Sequence, residues 1–309
     1  MKKILVTGGS GFIGRNLVTA FLNKNFKVYS IDQKKFKLVH KNLKKYKIDI
    51  AKNNLNKLKK INFDYIFHAA ADLGVKKVIN HPVSTLNNNI SSFKSILEFS
   101  KRQKKLKRLF FFSTSEIYSN LNKKNKMSEL DRIISPDIFH PRTSYWLSKY
   151  YGEFEIIQSK VPYTILRIFN AYGPGMKPTH VISETISKLN KKLKKCIFQN
   201  PNHSRCFIYI DDVVKIIINL LSKKFHNKIV NVGNPNEEIK IKELIFLIKK
   251  LMNNKSSILF KNFENNSISK RIPDVNFYNK NVKKKIKYVK LNYGINKILK
   301  ANDEIKTRK

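Results

Sequence analysis

The sequence predicts an α/β fold, a doubly wound parallel sheet, and three observations predict it. An apolar run, Ile4-Leu5-Val6, enters a glycine turn, and a helical pattern of Phe12, Ile13, Leu17, Val18, Phe21 and Leu22 leaves it. Further strand-like runs, Lys27–Ile31, Phe63–Phe67 and Leu109–Phe112, alternate with helix-length stretches through the first half of the chain. The run Lys27–Ile31 follows the first helix at once and ends in a carboxylate, Asp32.

The turn reads Gly8-Gly9-Ser10-Gly11-Phe12-Ile13-Gly14. Gly9, Gly11 and Gly14 fit G-x-G-x-x-G, and Gly8, Gly11 and Gly14 fit the wider G-x-x-G-x-x-G. Without Cβ atoms the backbone can turn tightly and admit a pyrophosphate to the free N–H groups of a helix N-terminus. Gly8, Gly11, Phe12, Ile13 and Gly14 are therefore candidate dinucleotide contacts. Asp32 lies 18 residues after Gly14, where a carboxylate can accept both ribose hydroxyls of an adenosine. A glycine-rich turn in some other α/β protein is the bland alternative; the coincidence of strand, turn, helix and acid speaks against it.

After a basic connection, Tyr46–Ile50 reads as a short strand. Asp49 and Ile50 at its end are candidate adenine contacts, and a solvated loop suits Asp49 equally well. Phe63–Phe67 runs into His68-Ala69-Ala70-Ala71. The small residues Ala69 and Ala70 leave room for a cofactor at a strand end, whereas His68 reads as a packed core histidine. Val83–Ser100 is helical in pattern, opened by Pro82. The strand Leu109–Phe112 ends in Ser113-Thr114-Ser115-Glu116-Ile117-Tyr118, a polar cluster where open α/β sheets carry their sites. A polar, basic loop over Ser119–Asp137 leads to His140-Pro141-Arg142-Thr143-Ser144-Tyr145-Trp146-Leu147-Ser148-Lys149. Tyr145 and Lys149 are four apart on a predicted helix and share a face. An ammonium beside a phenol lowers the phenol's pKa, which would fit Tyr145 as a general base.

Composition narrows the class. At 309 residues and 41% hydrophobic, the chain buries a sizeable core. The Met1-Lys2-Lys3 start lacks the apolar region of a signal peptide, and no stretch reaches membrane-spanning length, so a cytoplasmic protein with no membrane partner is expected. Only Cys196 and Cys206 occur, which suits a reducing compartment, and no metal-ligand cluster is seen. The net charge of +42 invites a nucleic-acid reading. The lysines form no single basic arm and accompany no nucleic-acid motif, so specific nucleic-acid binding is not expected. A positive field still attracts an anionic nucleotide.

Beyond Thr164–Phe169, a strand broken by Tyr172-Gly173-Pro174-Gly175, the alternation becomes irregular, with helices expected near 181–194, 211–223, 240–252 and 293–300. The expected organisation is a nucleotide-binding domain over 1–170, to which some later segments return, and a smaller substrate lobe over 171–309, with a loose tail beyond Ala301.

These residues resemble the extended short-chain dehydrogenases/reductases, in particular the NAD-dependent sugar-nucleotide epimerase/dehydratase group. The resemblance spans essentially the whole chain. It is carried by the Thr7–Gly14 loop, Asp32, His68-Ala69-Ala70, Asn89, Ser113–Tyr118, Tyr145 with Lys149, Arg167–Gly175, Arg205–Val213, Asn231–Asn234 and Arg271–Asp274. It implies a Rossmann-type doubly wound sheet with a smaller C-terminal α/β lobe, NAD as cofactor, a nucleotide-sugar substrate, a homodimer through the helices near 83–101 and 143–159, and a part in surface-polysaccharide sugar supply. It further implies that Asn170, Arg205 and Arg271 face the substrate's diphosphate or nearby groups, that Ser115 contacts the substrate, and that Tyr145 and Lys149 also contact the cofactor.

The implied chemistry starts with Tyr145 removing a hydroxyl proton at C4 while hydride passes to NAD. Thr114 hydrogen-bonds the reacting oxygen and Lys149 holds the nicotinamide ribose. The resulting 4-keto sugar can be inverted, dehydrated or, with a C6 carboxylate, decarboxylated. Glu116 is the residue that would choose, since dehydratases and decarboxylases of the group carry a glutamate there. Ser115 departs from the Thr-Asp-Glu of dTDP-glucose-type dehydratases, and serine is a poor acid for expelling water, although Thr-Ser-Glu does occur in decarboxylases and GDP-mannose dehydratases of the group. A UDP-glucuronate decarboxylase-like enzyme is the nearest alternative. An NADPH-dependent reductase, disfavoured by Asp32, and a non-catalytic NAD- or RNA-binding relative are the others.

Overall fold

The structure is a computed structural model that describes the chain except residues 53–54, 119–125, 192, 262–268 and 308–309. The first part of the expected Ser119–Asp137 loop thus lies outside the described residues. The chain divides into two compact units: Met1–Ile117 with Pro141–Ile168 and Val214–Val230, and Tyr118–His140 with Phe169–Val213 and Asn231–Lys309.

The first unit is built on a seven-stranded sheet. Strands β1 (Lys3–Thr7), β2 (Lys27–Asp32), β3 (Leu43–Lys47), β4 (Tyr65–His68), β5 (Arg108–Thr114) and β6 (Tyr163–Ile168) join a strand over Lys228–Val232. The order is Lys228–Val232, β6, β5, β4, β1, β2, β3, and every pairing from β6 across to β3 is parallel. The chain runs outward from β1 to β3 and returns to β4 on the other side of β1. The strand order therefore reverses at β1, and open sheets bind ligands beyond the strand C-termini at such a reversal.

Helices α1 (Phe12–Asn23), α2 (Val75–Asn80), α3 (Pro82–Lys101) and α4 (Thr143–Gln158) belong to this unit. Buried Leu17, Val18, Phe21 and Leu22 give α1 its inner face at helical spacing. Pro82 occupies the first turn of α3, where its missing N–H costs nothing. Side chains alternate along β5: Phe110 stacks on Phe67 with centroids 4.4 Å apart, and Phe111 packs on Phe93 at 4.7 Å. Arg108, buried at the start of β5, donates to the carbonyls of Leu220 at 2.6 Å and Ser222 at 3.1 Å and so terminates the helix Ile210–Asn219.

One strand is displaced from its expected position. The strand read at Tyr46–Ile50 lies at Leu43–Lys47, and Ile50 begins a short 3₁₀ turn. Its neighbour in the sheet, β2, ends where Asp32 meets Lys47. The Ile48 N–H still reaches the Asp32 carbonyl at 3.0 Å, and the ladder stops there.

Among the described residues the second unit has three small sheets: Glu238–Lys240, Ser204–Cys206 and Lys270–Arg271 in that order; Lys195–Gln199 with Ser257–Lys261; and Ala171–Tyr172 with Ile208–Tyr209. Gly173 and Gly175, at φ 156° and 73°, make the turn expected after Tyr172. The final helix spans Leu291–Thr307, so the tail expected to be loose beyond Ala301 is helical through Thr307. Ala301 and Glu304 are good helix formers and no Gly or Pro interrupts them.

Candidate active site

The glycine loop joins β1 to α1. Gly8 and Gly9 donate their N–H groups to the Ile31 carbonyl at 2.8 and 3.3 Å, which ties the turn to the end of β2. Gly8 sits at φ +69°, and a Cβ there would stand 2.8 Å from the Ala70 nitrogen. A Cβ on Gly14 would stand 2.1 Å from the Gly8 carbonyl oxygen. Both positions thus exclude a side chain, and the loop folds flat against the N-terminus of α1. The Gly11 cap makes no side-chain hydrogen bond, so the first-turn amides, with half-buried Phe12 and Ile13, face outward for an anion.

The floor beside the loop is the turn after β4. Ala70 donates its N–H to Thr7 Oγ1 at 3.1 Å, and Thr7 Oγ1 lies 3.0 Å from His68 Nδ1. Thr7 Oγ1 thus joins the Ala70 backbone to the His68 ring. Burial, and then the charge of Lys149, bring His68 down to about 3, so it stays neutral as a packed core residue. Asn89 on α3 accepts the Asp72 N–H at 2.6 Å and donates to the Asp72 carbonyl at 3.1 Å and to Ser148 Oγ at 3.2 Å. That side chain locks the Ala69–Asp72 turn to α4.

Asp32 ends β2 with its carboxylate accepting the Ser10 N–H at 3.0 Å and the Lys34 N–H at 2.9 Å. Asp49 accepts the Ala51 N–H at 3.1 Å, and Ile50 beside it is buried. An uncapped helix N-terminus, a loop whose glycines exclude Cβ atoms and an acid at the next strand end fit a dinucleotide. Gly8, Gly11, Phe12, Ile13 and Gly14 would hold its pyrophosphate, Asp32 its ribose, and Ala69 and Ala70 its inner edge.

The reactive cluster stands at the C-terminal end of β5. Thr114 hydrogen-bonds the Tyr145 phenol, and Thr114 Oγ1 accepts the Glu116 N–H at 3.2 Å. Lys149, one turn after Tyr145 on α4, donates to the Phe112 carbonyl at 2.7 Å, with its Nζ 5.8 Å from the Tyr145 ring centre. Buried Ser115 opens the 3₁₀ turn Ser115–Tyr118. The electrostatics differ from the expectation that Lys149 lowers the Tyr145 pKa. Burial and the charge of Glu116 raise it well above an ordinary phenol, against the Thr114 hydrogen bond and Arg142, which favour the phenolate. Lys149 is itself brought down to about 8 by burial, with Glu153 acting the other way. One of its N–H groups is directed at the Phe112 carbonyl.

Two residues of this cluster carry roles that the sequence did not reveal. Arg142, in the turn before α4, grips Glu116 through Nη2–Oε1 at 2.5 Å. Glu153, one turn after Lys149, accepts from Ser113 Oγ at 2.5 Å and from Arg167 at 3.0 and 2.7 Å. The i+4 spacing of Tyr145, Lys149 and Glu153 was a signal for the second; for Arg142 only adjacency to the motif pointed there.

In the second unit, Asn170 donates through Nδ2 to the Cys206 carbonyl at 3.0 Å. Arg205 and Arg271 are register partners in parallel strands, so both leave the same face of their sheet. Arg271 is buried, and Arg205 donates to the Ser204 carbonyl at 2.7 Å. Burial and both guanidiniums lower the His203 pKa, so two cations converge on that neighbourhood. Among the described residues no cluster of His, Cys, Asp or Glu could hold a metal ion, and no helix is long and apolar enough to cross a membrane.

The fold is that of a dinucleotide-binding α/β enzyme, with Thr114, Tyr145 and Lys149 gathered at the end of β5. Residues 4–233 match the model of the NAD dependent epimerase/dehydratase family, and the chain belongs to that family, with NAD as its cofactor. It is similar to the UDP-N-acetyl-alpha-D-glucosaminuronate decarboxylase of Bacillus cytotoxicus, 29% identical over 89% of each chain. Among solved structures it resembles the UDP-glucuronic acid 4-epimerase of Bacillus cereus, in complex with UDP-glucuronic acid and NAD, with a TM-score of 0.85, 25% identity and 98% and 99% of the two chains covered. The UDP-N-acetylglucosamine 4-epimerase of Methanobrevibacter ruminantium is equally near, with a TM-score of 0.84, 25% identity and the same coverage.

Proposed function

We propose that the enzyme acts on a nucleotide-linked sugar, oxidising C4 to a transient ketone and completing the reaction from that ketone. The observation that carries this reading is the Thr114–Tyr145–Lys149 cluster at the end of β5. When bound, NAD would supply a reversible hydride acceptor with a positive ring. Tyr145 takes the C4 hydroxyl proton; a phenol of such high pKa is a strong base once ionised, and Arg142 and Thr114 favour its ionisation. Thr114 holds the reacting oxygen beside it. Lys149 fixes the nicotinamide ribose and keeps a positive charge near the site. Asn170, Arg205 and Arg271 receive the diphosphate, for which a guanidinium fork is suited.

The ketone acidifies the proton at C5, and the treatment of that proton divides the outcomes. Inversion needs only hydride return to the other face, dehydration needs a base at C5 and an acid at C6, and decarboxylation needs a C6 carboxylate. The relatives named above, two 4-epimerases and a decarboxylase acting on UDP-linked sugars, support a UDP-linked substrate. Such a product suits the supply of surface-polysaccharide sugars.

The test is incubation of the protein and NAD⁺ with UDP-, GDP-, CDP- and dTDP-sugars, read by mass spectrometry and NMR. At least one UDP-sugar is expected to be converted, and Tyr145→Phe to lose about 10²- to 10⁴-fold in rate. Full activity in Tyr145→Phe would overturn the assignment.

A homodimer through α3 and α4 belongs to the same reading. Leu147, Tyr150, Phe154 and Ile157 form an exposed apolar stripe along α4, with Phe154 61% exposed, and Val83 is exposed on α3.

A further inference from the structure

We propose that Arg142 restrains Glu116, so that the ketone formed in the site is inverted at C4 without loss of its C5 proton. The inference rests on the C4-oxidation reading above. Glu116 stands two residues beyond Thr114, close enough to act on the Tyr145 phenol electrostatically. It is the one carboxylate of the reactive cluster with a potential C5 role; Glu153 is engaged by Ser113 and Arg167. Arg142 reaches Glu116 from the turn before α4, three residues ahead of Tyr145, and the pair is only partly exposed, 32% and 22%.

Three physical consequences follow from that geometry. A carboxylate oxygen that already accepts a guanidinium N–H has less basicity left for a carbon acid. Partial burial strengthens the hold, because water competes less for either partner. The same cation offsets the negative charge of Glu116 at Tyr145, and so keeps the phenol usable at C4. Ser115, the residue beside Glu116, is a poor acid for expelling a C6 hydroxyl. The two features point the same way, towards epimerisation.

Release of Glu116 has a defined chemical signature. Freed, its carboxylate takes the C5 proton of the 4-ketone: the C5–H bond breaks, an O–H bond forms on Glu116, and the electron pair moves into the C4–C5 enolate. In D₂O a deuteron then returns to C5.

The test runs wild type, Arg142→Met, Arg142→Lys and Arg142→Met with Glu116→Gln, each with NAD⁺ and UDP-glucose, UDP-N-acetylglucosamine or UDP-glucuronic acid in D₂O. Cofactor reduction is followed by absorbance and C5 deuterium by NMR. Wild type and Arg142→Lys are expected to leave C5 unlabelled, Arg142→Met to label it, and the double variant to lose that label. Labelling in wild type, no labelling in Arg142→Met, or labelling that survives Glu116→Gln overturns the proposal. Absence of both turnover and cofactor reduction with every sugar strikes the C4-oxidation reading instead. A measurement that needs no sugar covers that case and any loss of folding: the melting changes of Arg142→Met, of Glu116→Gln and of the two combined, each against wild type, are expected to be non-additive. Additive changes would show that Arg142 does not hold Glu116.

Discussion

Glu153 and Arg167 form a buried ion pair directly beneath the reacting end of α4, each side chain about 4% exposed. At that burial neither charge is served by water, so removing one partner leaves the other uncompensated. Glu153→Gln is therefore expected to cost about 3–5 kcal/mol, read by denaturant unfolding, with part recovered when Arg167→Met is added. The same substitution has a signature in pH. Burial brings Lys149 down to about 8, and Glu153 is the charge that opposes the fall. The ammonium is present below that value and lost as pH rises through it. The alkaline limb of the rate profile is expected there in wild type and at lower pH in Glu153→Gln. An unmoved limb would separate Glu153 from the site and leave it a purely structural residue.

At the scale of elements, the loop between β1 and α1 was the most legible part of the chain. Its glycines are required by local geometry, so their spacing carries the structure with it. Gly14→Ala would set a Cβ 2.1 Å from the Gly8 carbonyl oxygen and force α1 away from the loop. NAD binding is expected to weaken by about tenfold or more, ~1.4 kcal/mol, measured by calorimetry. Unchanged affinity would show that the loop does not seat the pyrophosphate. Tyr145 and Lys149 were legible for the same reason, since four-residue spacing on a helix guarantees a shared face. The position of β3 was not, because an edge strand ends where its single neighbour ends, and that is a tertiary fact. The rise in the Tyr145 pKa was equally hidden. It depends on burial and on Glu116, while the charge that sequence adjacency suggested is directed at Phe112. Arg142 escaped notice because nothing in its local pattern says that a turn arginine will meet a carboxylate 26 residues earlier.

At the scale of the whole molecule, the +42 charge and the α4 stripe are separate matters. Charge spread over the chain raises the rate of encounter with an anionic nucleotide and adds no specificity. An apolar stripe in so basic a protein asks for cover. Phe154→Glu is expected to convert a dimer to a monomer in light scattering, and a wild-type monomer would dismiss the homodimer. The central claim is that C4 of a nucleotide-linked sugar is oxidised and reduced within one active site. The measurement that meets it most directly uses UDP-[4-²H]glucose, or the 4-deuterated form of whichever UDP-sugar is turned over, with NMR of the product. A primary isotope effect is expected, with the deuterium retained on the sugar and returned at C4. Turnover with no isotope effect, or with the C4 deuterium released to solvent as a proton would be, would contradict it.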